Sequence, residues 1–343
     1  MQKAQNQNSC LLQPRPYLAR LSLVVPVYNE GPVVPRLRAA LEHFMAELRC
    51  EAEVILVNDG STDSTLGQVV NWARQDARVK VVNFSRNFGH QIALTAGLDY
   101  ATGDAVVLLD ADLQDPLNVI HEMIERYCEG YDVVYGQRVS RRAETRFKRF
   151  TAWLFYRLMQ TLVHKDLPVD TGDFRLLSRS CRDALQQMRE THRFLRGMVA
   201  WVRFPQVAVR YERLPRVAGS TKYSLKKMVK LAWTAATSFS TFPLKASIWM
   251  GVIATLIGLE EGGRAVLARI FDWYVVPGWT SLTMLISIVG GATLISIGML
   301  GEYVGKLYEQ AKNRPLYVVA QIINTETAKE IEVEARLTAA EKL

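Results

Sequence analysis

The stretch VVLLDADLQDP, residues 106–116, decides the fold that we expect for this chain. Four apolar residues lead directly into two carboxylates, Asp110 and Asp112. Apolar runs of this kind form buried strands of parallel sheets, and ligands of open α/β sheets bind beyond the carboxyl ends of the strands. A charged group at the end of a buried strand is unfavourable unless an opposite charge compensates it. For clustered carboxylates, a divalent cation that also binds a diphosphate is a suitable partner. A solvated acidic turn is the simpler alternative.

Strand and helix patterns alternate around this stretch, from residue 21 to about residue 136. The predicted strands are residues 21–27, 53–57, 79–83, 105–109 and 132–135. Between them, residues 33–48 and 64–74 have the pattern of amphipathic helices, and residues 60–63 (GSTD) mark a turn and a helix cap. Alternation of this kind predicts an α/β fold with a parallel sheet covered by helices.

Polar residues follow two more of the predicted strands. Pro26, Tyr28 and Glu30 lie at the end of the first strand, and Asn58 and Asp59 lie at the end of the second. Together with the acidic loop, three strand ends converge on one edge of the sheet. Acidic groups there suit hydrogen bonds to a base and a ribose, while a metal takes the phosphates. The sequence has no Gly-x-Gly-x-x-Gly or Walker-type loop, which disfavours dinucleotide and P-loop binding.

Composition narrows the class of partner. The chain has 343 residues, 49% of them hydrophobic, and a net charge of +8, which suits nucleic acid, an anionic membrane face or phosphorylated substrates. The basic clusters at residues 138–149 and 222–230 are not interleaved with aromatic residues in the manner of a nucleic-acid groove, and no nucleic-acid-binding signature occurs, so we expect no nucleic-acid partner. The four cysteines lie far apart without metal-type spacing, which favours a reducing compartment.

The pattern changes after residue 140. Residues 147–163 predict an aromatic-rich helix, and residues 224–241 combine lysines with aromatic residues, as a helix in a membrane interface does. An ordinary surface helix is the alternative. Residues 279–300 carry no charge over about the ~20 residues that span a bilayer. Residues 246–259 form a shorter apolar segment than residues 279–300. They span a bilayer only if the helix continues past Glu260, Glu261 and Arg264. In that helix Arg264 would pair with Glu260.

These patterns predict five regions. Both flanks of the apolar pair are basic, which places them on the cytoplasmic side, and the polar N-terminus has no signal-peptide pattern. We expect a flexible segment 1–20, an α/β domain 21–223, interface helices 224–245, two membrane helices 246–303 and a cytoplasmic C-terminal strand and tail 304–343.

Three motifs in fixed order carry a family resemblance: PVYNE (26–30), NDGSTD (58–63) and DADLQDP (110–116). They resemble the nucleotide-sugar domain of family-two inverting glycosyltransferases, which have the GT-A fold. Residues 85–104, 170–179, 216–224 and 312–319, with the predicted membrane hairpin, are similar to the narrower group of polyprenyl-phosphate glycosyltransferases. The resemblance covers about residues 20–320.

The resemblance implies a metal-dependent enzyme of the bacterial inner membrane, multi-pass, with a cytoplasmic catalytic domain. It would transfer a sugar from a nucleotide sugar to undecaprenyl phosphate, with Mg²⁺ or Mn²⁺ as cofactor. UDP-glucose is the first expected donor, a UDP-linked aminoarabinose the second and GDP-mannose the third. Membrane lipids are implied partners, and the hairpin could support a homo-oligomer, with residues 312–319 adding a strand to a neighbour.

The resemblance also implies roles for individual residues. The nucleotide sugar would contact Pro26, Tyr28, Glu30, Asp59, Asp110, Arg216 and Lys222. The metal and diphosphate would face Asp110, Asp112 and Gln114. The acceptor phosphate would meet Arg138 and the cluster of Arg146, Lys148 and Arg149, among which the spacing does not choose. The catalytic set would be Asp112, Asp173 and Arg138, with Asp173 near the transferred sugar.

Several questions stay open at this point. Gln114 could cap the following helix, Asp173 could pair with Arg175, and His90 is interpreted as structural. A processive polysaccharide synthase shares such a catalytic core, but it carries a Gln-x-x-Arg-Trp segment that this chain lacks. The same patterns would also suit a membrane scaffold that binds nucleotide sugar without turnover, or a lipid translocator. The intact acidic set argues against the scaffold, and two spans are too few for a translocator without partners.

Overall fold

The computed structural model describes residues 12–139, 171–213, 242–271 and 279–324. The described residues fall into two compact units. The first contains the α/β elements up to residue 213 and the last strand, and the second contains two long helices. The predicted helix 147–163 and the segment 224–241 lie outside the described residues.

The first unit is built on an eight-stranded sheet in the order β7-β5-β6-β4-β1-β2-β3-β8. Its strands are β1 (Arg20–Val27), β2 (Glu51–Asn58), β3 (Val79–Phe84), β4 (Ala105–Leu108), β5 (Val133–Arg138), β6 (Thr171–Ser178), β7 (Gln206–Tyr211) and β8 (Val319–Ile323). β1 pairs in parallel with β2 and β4, β2 with β3, and β5 with β7. The predicted α/β fold with a mostly parallel sheet is therefore confirmed.

Two strands run against the others. β6 lies antiparallel between β4 and β5, and β8 lies antiparallel beside β3. Local sequence patterns do not reveal β6, because its partners lie far away along the chain and only the fold brings them together, as with the pairing of Leu108 and Arg175. The C-terminal region contains a strand, but it is β8 at Val319–Ile323, which joins the sheet of its own chain, and not residues 312–319 added to a neighbour.

Helices cover the sheet of the first unit, and two long helices form the second unit. They are α1 (Val34–Glu47), α2 (Thr65–Gln75), α3 (His90–Tyr100), α4 (Val119–Cys128), α5 (Arg179–Gln187), α6 (Leu195–Val202), α7 (Phe242–Ile270) and α8 (Trp279–Ala311). α2 illustrates how the local sequence specifies them. Gly60 turns the chain at a φ of 68°, the carboxylate of Asp63 accepts the amide of Thr65 at 3.0 Å, and Val69 and Trp72 then recur at helical spacing and are buried.

The close packing of α3 on the sheet positions one end of the site. A side chain at Gly97 would lie 2.0 Å from Cγ1 of Val24, so only glycine lets α3 approach β1 so closely. Val24 and Leu94 on the two sides of this contact are fully buried. The approach fixes the start of α3, at His90, beyond the carboxyl end of the central strands.

Residues 12–19 are anchored, which corrects the prediction of a flexible lead-in up to residue 20. The guanidinium of Arg15 donates to Asp132 at 2.8 Å and lies 5.0 Å over the ring of Tyr127, and the Arg15 amide donates to the carbonyl of Cys128 at 2.8 Å. These partners lie more than a hundred positions away along the chain, and composition alone does not reveal them.

The second unit contains α7 and α8. α7 continues without a break through the charged triplet, and Arg264 pairs with Glu260 at 3.0 Å, as predicted. Among the described helices, residues Met284–Ala311 are long and apolar enough to cross a membrane, and they are the single stretch that meets that test. The second membrane span, in α7, therefore stays a prediction.

Candidate active site

The predicted polar residues gather at one edge of the sheet. β1, β2, β3, β4, β5 and β7 all point their carboxyl ends to this edge, and the antiparallel strand β6 begins there. The edge therefore receives the residues that follow six strands and those that open β6. Topology alone brings together segments that are far apart in the sequence.

The loop after β4 holds the acidic motif. Asp110 and Asp112 expose 30% and 12% of their side chains at the edge. Leu113 has a φ of 54°, a left-handed conformation that is uncommon for leucine, and the amide of Gln114 donates to Asp112 at 3.2 Å. The tight turn aims both carboxylates out of the sheet, where a ligand can reach them, and the last carboxylate of the loop, Asp115, is buried.

His90 connects two of the predicted site carboxylates. Its Nε2 lies 3.6 Å from Asp110 and 3.4 Å from Asp173. Burial lowers the pKa of the imidazole, but the hydrogen bond to Asp173 and the charge of Asp110 outweigh it, and the net pKa is raised. The sequence interpretation of His90 as structural overlooks this position. His90 begins a helix that follows a strand, and this position could have indicated a role in the site.

Asp173 is the most strongly held carboxylate of the edge. Arg196 donates to it through Nε at 2.9 Å and Gln91 through Nε2 at 3.1 Å. Burial opposes its ionisation, but the charge of Arg196 and the hydrogen bond from His90 hold the pKa of Asp173 well below its usual range. The alternative partner, Arg175, donates instead to the carbonyl of Gly172 at 3.0 Å. The sequence analysis missed Gln91, although it lies within the stretch 85–104, and it missed Arg196, which no motif marks.

The loop after β1 is locked by its neighbours and leaves an aromatic ring exposed. Asn29 has a φ of 52°, and its side-chain oxygen accepts the amide of Thr62 at 2.9 Å. The amide of Glu30 donates to the hydroxyl of Thr65 at 2.9 Å. Tyr28, between these anchors and Pro26 of β1, exposes 42% of its surface. A rigid loop with a free ring face is suited to stacking on a base.

Asp59 is buried behind this loop. Its carboxylate accepts the amides of Phe88 at 2.7 Å and Gly89 at 3.0 Å, immediately before α3, and burial raises its pKa. The neighbouring Asn58 is fully buried and donates to Asn83 at 2.7 Å. Asp59 therefore joins the end of β2 to the start of α3, and its predicted contact with the nucleotide stays a prediction.

Arg138 ends β5 at the same edge. Its Nε donates to the hydroxyl of Tyr211 at 3.3 Å, and its Nη2 lies 3.8 Å from Asp115. Arg213 lies 3.8 Å from Asp115 and 4.0 Å from Asp112. The other predicted phosphate-binding residues lie outside the described residues; they are Arg146, Lys148, Arg149, Arg216 and Lys222.

The donor set fits a divalent cation that is bound together with a diphosphate. Burial raises the pKa of Asp110, and the carboxylates of Asp173, Asp115 and Asp112 raise it further, so a bound cation would relieve this repulsion. Within the described ranges, no group of three or more His, Cys, Asp or Glu side chains could hold a metal alone. Mg²⁺ commonly needs only one or two carboxylates beside substrate phosphates, which Asp110 and Asp112 can supply. The ligand role of Gln114 stays a prediction.

Comparisons with known proteins agree with this geometry. The profile of the glycosyl transferase family 2 matches residues 22–185. An uncharacterized glycosyltransferase of Bacillus subtilis, YkcC, is 44% identical over 90% of this chain and 95% of its own length. The prophage bactoprenol glucosyl transferase homolog of Escherichia coli is 38% identical over 88% of this chain and 99% of its own length.

Among solved structures, the mannosyltransferase PcManGT from Pyrobaculum calidifontis, in complex with GDP-Man and Mn²⁺, is 15% identical with a TM-score of 0.42. The likeness covers 84% of this chain and 90% of that one. The mixed sheet with an acidic loop beyond its fourth strand defines a glycosyltransferase of the GT-A type. This chain belongs to the glycosyl transferase family 2.

Proposed function

We propose that this protein transfers a sugar from a nucleotide sugar to a polyprenyl phosphate at the cytoplasmic face of the bacterial inner membrane. The donor that we propose first is UDP-glucose. The observation that carries the proposal is the likeness to the bactoprenol glucosyl transferases, at 38% identity over 303 residues for the relative from Escherichia coli. The apolar helix stretch Met284–Ala311 supports a membrane location. The basic residues that flank the long helices favour the cytoplasmic orientation.

Each group at the sheet edge has a task in this reaction. Asp110 and Asp112 would hold Mg²⁺ or Mn²⁺ with the donor diphosphate, and Gln114 would stand beside them. The cation would supply Lewis-acid stabilisation of the departing diphosphate. Tyr28 would stack on the base, and Pro26, Glu30 and Asp59 would line the same pocket.

The acceptor needs little help from a base. A phosphate monoester has its second pKa near ~6, so the lipid phosphate is largely ionised at neutral pH. Its oxygen attacks the anomeric carbon opposite the leaving diphosphate, which inverts the configuration there. Asp173 is already paired with Arg196 and His90, which suits a carboxylate that orients sugar hydroxyls better than one that takes a proton. The protein's main work is to bring two anions together.

Arginine and lysine side chains would overcome the repulsion between the acceptor phosphate and the donor diphosphate. Arg138 would meet the lipid phosphate, together with residues of the cluster Arg146, Lys148 and Arg149. Arg216 and Lys222 would close over the donor diphosphate. We extend the proposal to the regions that the sequence predicts from residue 21 onward, including interface helices at 224–245 and a second membrane helix in α7. We also extend it to the association of the membrane helices into a homo-oligomer.

Transfer of a radiolabelled sugar to the lipid tests the proposal. Full-length protein in detergent would be incubated with undecaprenyl phosphate, Mg²⁺ or Mn²⁺, and labelled UDP-glucose, UDP-aminoarabinose or GDP-mannose in turn. We expect metal-dependent labelling of the organic phase from UDP-glucose. Labelling from another donor would keep the reaction and correct the sugar. Bound nucleotide sugar without any lipid label would contradict the proposed function and favour a non-catalytic binding role.

A further inference from the structure

Tyr211 connects Arg138 with a buried carboxylate of the acidic loop. The hydroxyl of Tyr211 donates to Oδ1 of Asp115, and the same hydroxyl accepts from Nε of Arg138 at 3.3 Å. Arg138 and Tyr211 are direct partners in the parallel pairing of β5 and β7. Asp115 follows Asp112 by three positions. A single hydroxyl thus ties the end of two strands to the loop that holds the candidate metal ligands.

The ring of Tyr211 is held in one place. A side chain at Gly136 would lie 2.7 Å from Cε1 of Tyr211, so glycine leaves the room that the ring fills. Phe174 packs edge-on against the ring, with 5.6 Å between centroids. Tyr211 itself is only 5% exposed. Because the ring cannot turn away, its hydroxyl has a defined position between the carboxylate and the guanidinium.

Asp115 attracts Arg138, but the two do not make a close ion pair. Oδ1 of Asp115 lies 3.8 Å from Nη2 of Arg138, and the Asp115 side chain is only 2% exposed. The intervening hydroxyl occupies Oδ1 and holds Nε of Arg138, so neither terminal nitrogen bonds to Tyr211, and Nη2 stays 3.8 Å from Asp115. The terminal N–H groups of a guanidinium are the donors that bind a phosphate in a bidentate manner.

We propose that Tyr211 is a positioning residue that keeps Arg138 apart from Asp115 and directs its guanidinium to the acceptor phosphate. The inference rests on the proposed function and deepens it, because it assigns the placement of the acceptor-binding arginine to one hydroxyl group. Without that hydroxyl, Arg138 closes the 3.8 Å gap and makes a direct ion pair with Asp115. The arginine is then withdrawn from the lipid phosphate, while the groups proposed for the nucleotide sugar are unchanged.

The test is steady-state kinetics of Tyr211→Phe in the full-length protein, with UDP-glucose and undecaprenyl phosphate varied in turn. We expect the KM for the lipid phosphate to rise about tenfold or more, as fits the loss of a hydrogen bond to a charged group. The KM for UDP-glucose should stay within about twofold, since the arginine that moves is the one proposed for the acceptor phosphate. A rise in the KM for UDP-glucose with no change for the lipid would overturn the proposal.

Tyr317→Phe is the matched control. The hydroxyl of Tyr317 also donates to a carboxylate, Asp99, at 2.9 Å, and its ring is stacked on Phe84. Asp99 lies near the end of α3 opposite to His90, nine residues on, or about 14 Å along the helix axis. Both variants lose one tyrosine hydroxyl that donates to a carboxylate, but only Tyr211→Phe should change the lipid KM. Equal kinetic effects of the two would reduce Tyr211 to a structural residue and contradict the inference.

A double mutant asks whether Tyr211 acts through Arg138. If it does, Tyr211→Phe adds nothing once Arg138 is replaced by alanine, so the double variant has the lipid KM of Arg138→Ala. Additive effects would overturn the proposal.

Gly172→Ala displaces the same guanidinium without changing Tyr211, because the added Cβ would lie 2.7 Å from Nη2 of Arg138. It should raise the lipid KM even if Tyr211→Phe folds poorly. A wild-type enzyme without lipid product would refute the proposed function instead.

Discussion

The imidazole of His90 and the carboxylate of Asp173 face each other across 3.4 Å, and the same nitrogen lies 3.6 Å from Asp110. One side chain therefore joins the acidic loop after β4 to the start of β6. Gln91, the next residue, adds a second link, since it donates to Asp173 at 3.1 Å and accepts the amide of Leu195 at 3.0 Å. The start of α3 thus lies between Asp110, proposed for the metal and diphosphate, and Asp173, proposed for the transferred sugar.

We expect His90→Asn to lower kcat for lipid transfer about tenfold or more. The change removes the imidazole that lies 3.4 Å from Asp173 and 3.6 Å from Asp110, and interactions with charged groups contribute roughly 1.5–3 kcal/mol. Initial rates at saturating donor and acceptor measure the effect. His43→Asn is the control, because His43 exposes 78% of its side chain and contacts Glu47 on the surface of α1. A His90 variant with the kcat of the wild type would show that the contact is only structural.

Asp110→Asn and Asp112→Asn should each reduce transfer to background. The amide keeps the size of the side chain and removes the charge that would hold a divalent cation with the diphosphate. Binding of Mn²⁺ in the presence of UDP, followed by the signal of the free ion in electron paramagnetic resonance, should weaken in parallel. Asp183→Asn on α5 is the control, since that carboxylate is about half exposed and pairs with Arg182 outside the candidate site. Metal-dependent turnover near the wild-type rate in either site variant would contradict the metal assignment.

The sequence predicted the part of the site that local patterns encode. β1, β2 and β4 are buried apolar runs that end in polar residues, and their convergence follows from parallel pairing alone. The remaining partners depend on long-range contacts. Arg196 reaches Asp173 from 23 positions away, and Tyr211 reaches Asp115 from 96. No spacing rule connects such pairs, because the antiparallel insertion of β6 decides which segments meet.

We expect Gly97→Ala to destabilise the α/β unit by about 1–3 kcal/mol, the usual effect of overpacking a dense core. The added methyl group would lie 2.0 Å from Val24, so α3 must move off β1. Gly67→Ala on α2 is the matched control, because nothing lies within 4 Å of its added methyl group, and alanine is the better helix former by about 1 kcal/mol. Thermal unfolding of the full-length protein should shift down for the first and not for the second.

If the two glycine variants had the same Tm, the inference that α3 packs too closely on β1 to accept a side chain at residue 97 would be wrong. A second readout follows from the position of His90 at the start of the same helix. Since a displaced α3 carries His90 away from Asp110 and Asp173, the Gly97 variant should also lose kcat, and the Gly67 variant should keep it.

The ion pair of Glu53 and Lys80 should make folding sensitive to acid. Burial opposes ionisation of Glu53, but hydrogen bonds from Lys80 at 2.7 Å, from the hydroxyl of Ser22 and from the amide of Thr102 lower its pKa below the ordinary 4.5. A carboxyl whose pKa is lower in the folded state stabilises the fold fully above its unfolded pKa. That contribution is lost as the pH falls below about 4.5 and through the folded pKa.

Glu53→Gln should therefore destabilise the protein by about 3 kcal/mol at neutral pH, because it leaves Lys80 mostly buried without its partner charge. It should also flatten the loss of stability below about pH 4.5. Glu51→Gln is the control on the same strand, since its pair with Arg20 is largely exposed and contributes less than about 1 kcal/mol. Thermal midpoints measured from pH 3 to pH 7 decide between them. Parallel curves for the wild type and Glu53→Gln would mean that Glu53 does not carry the acid sensitivity of the fold.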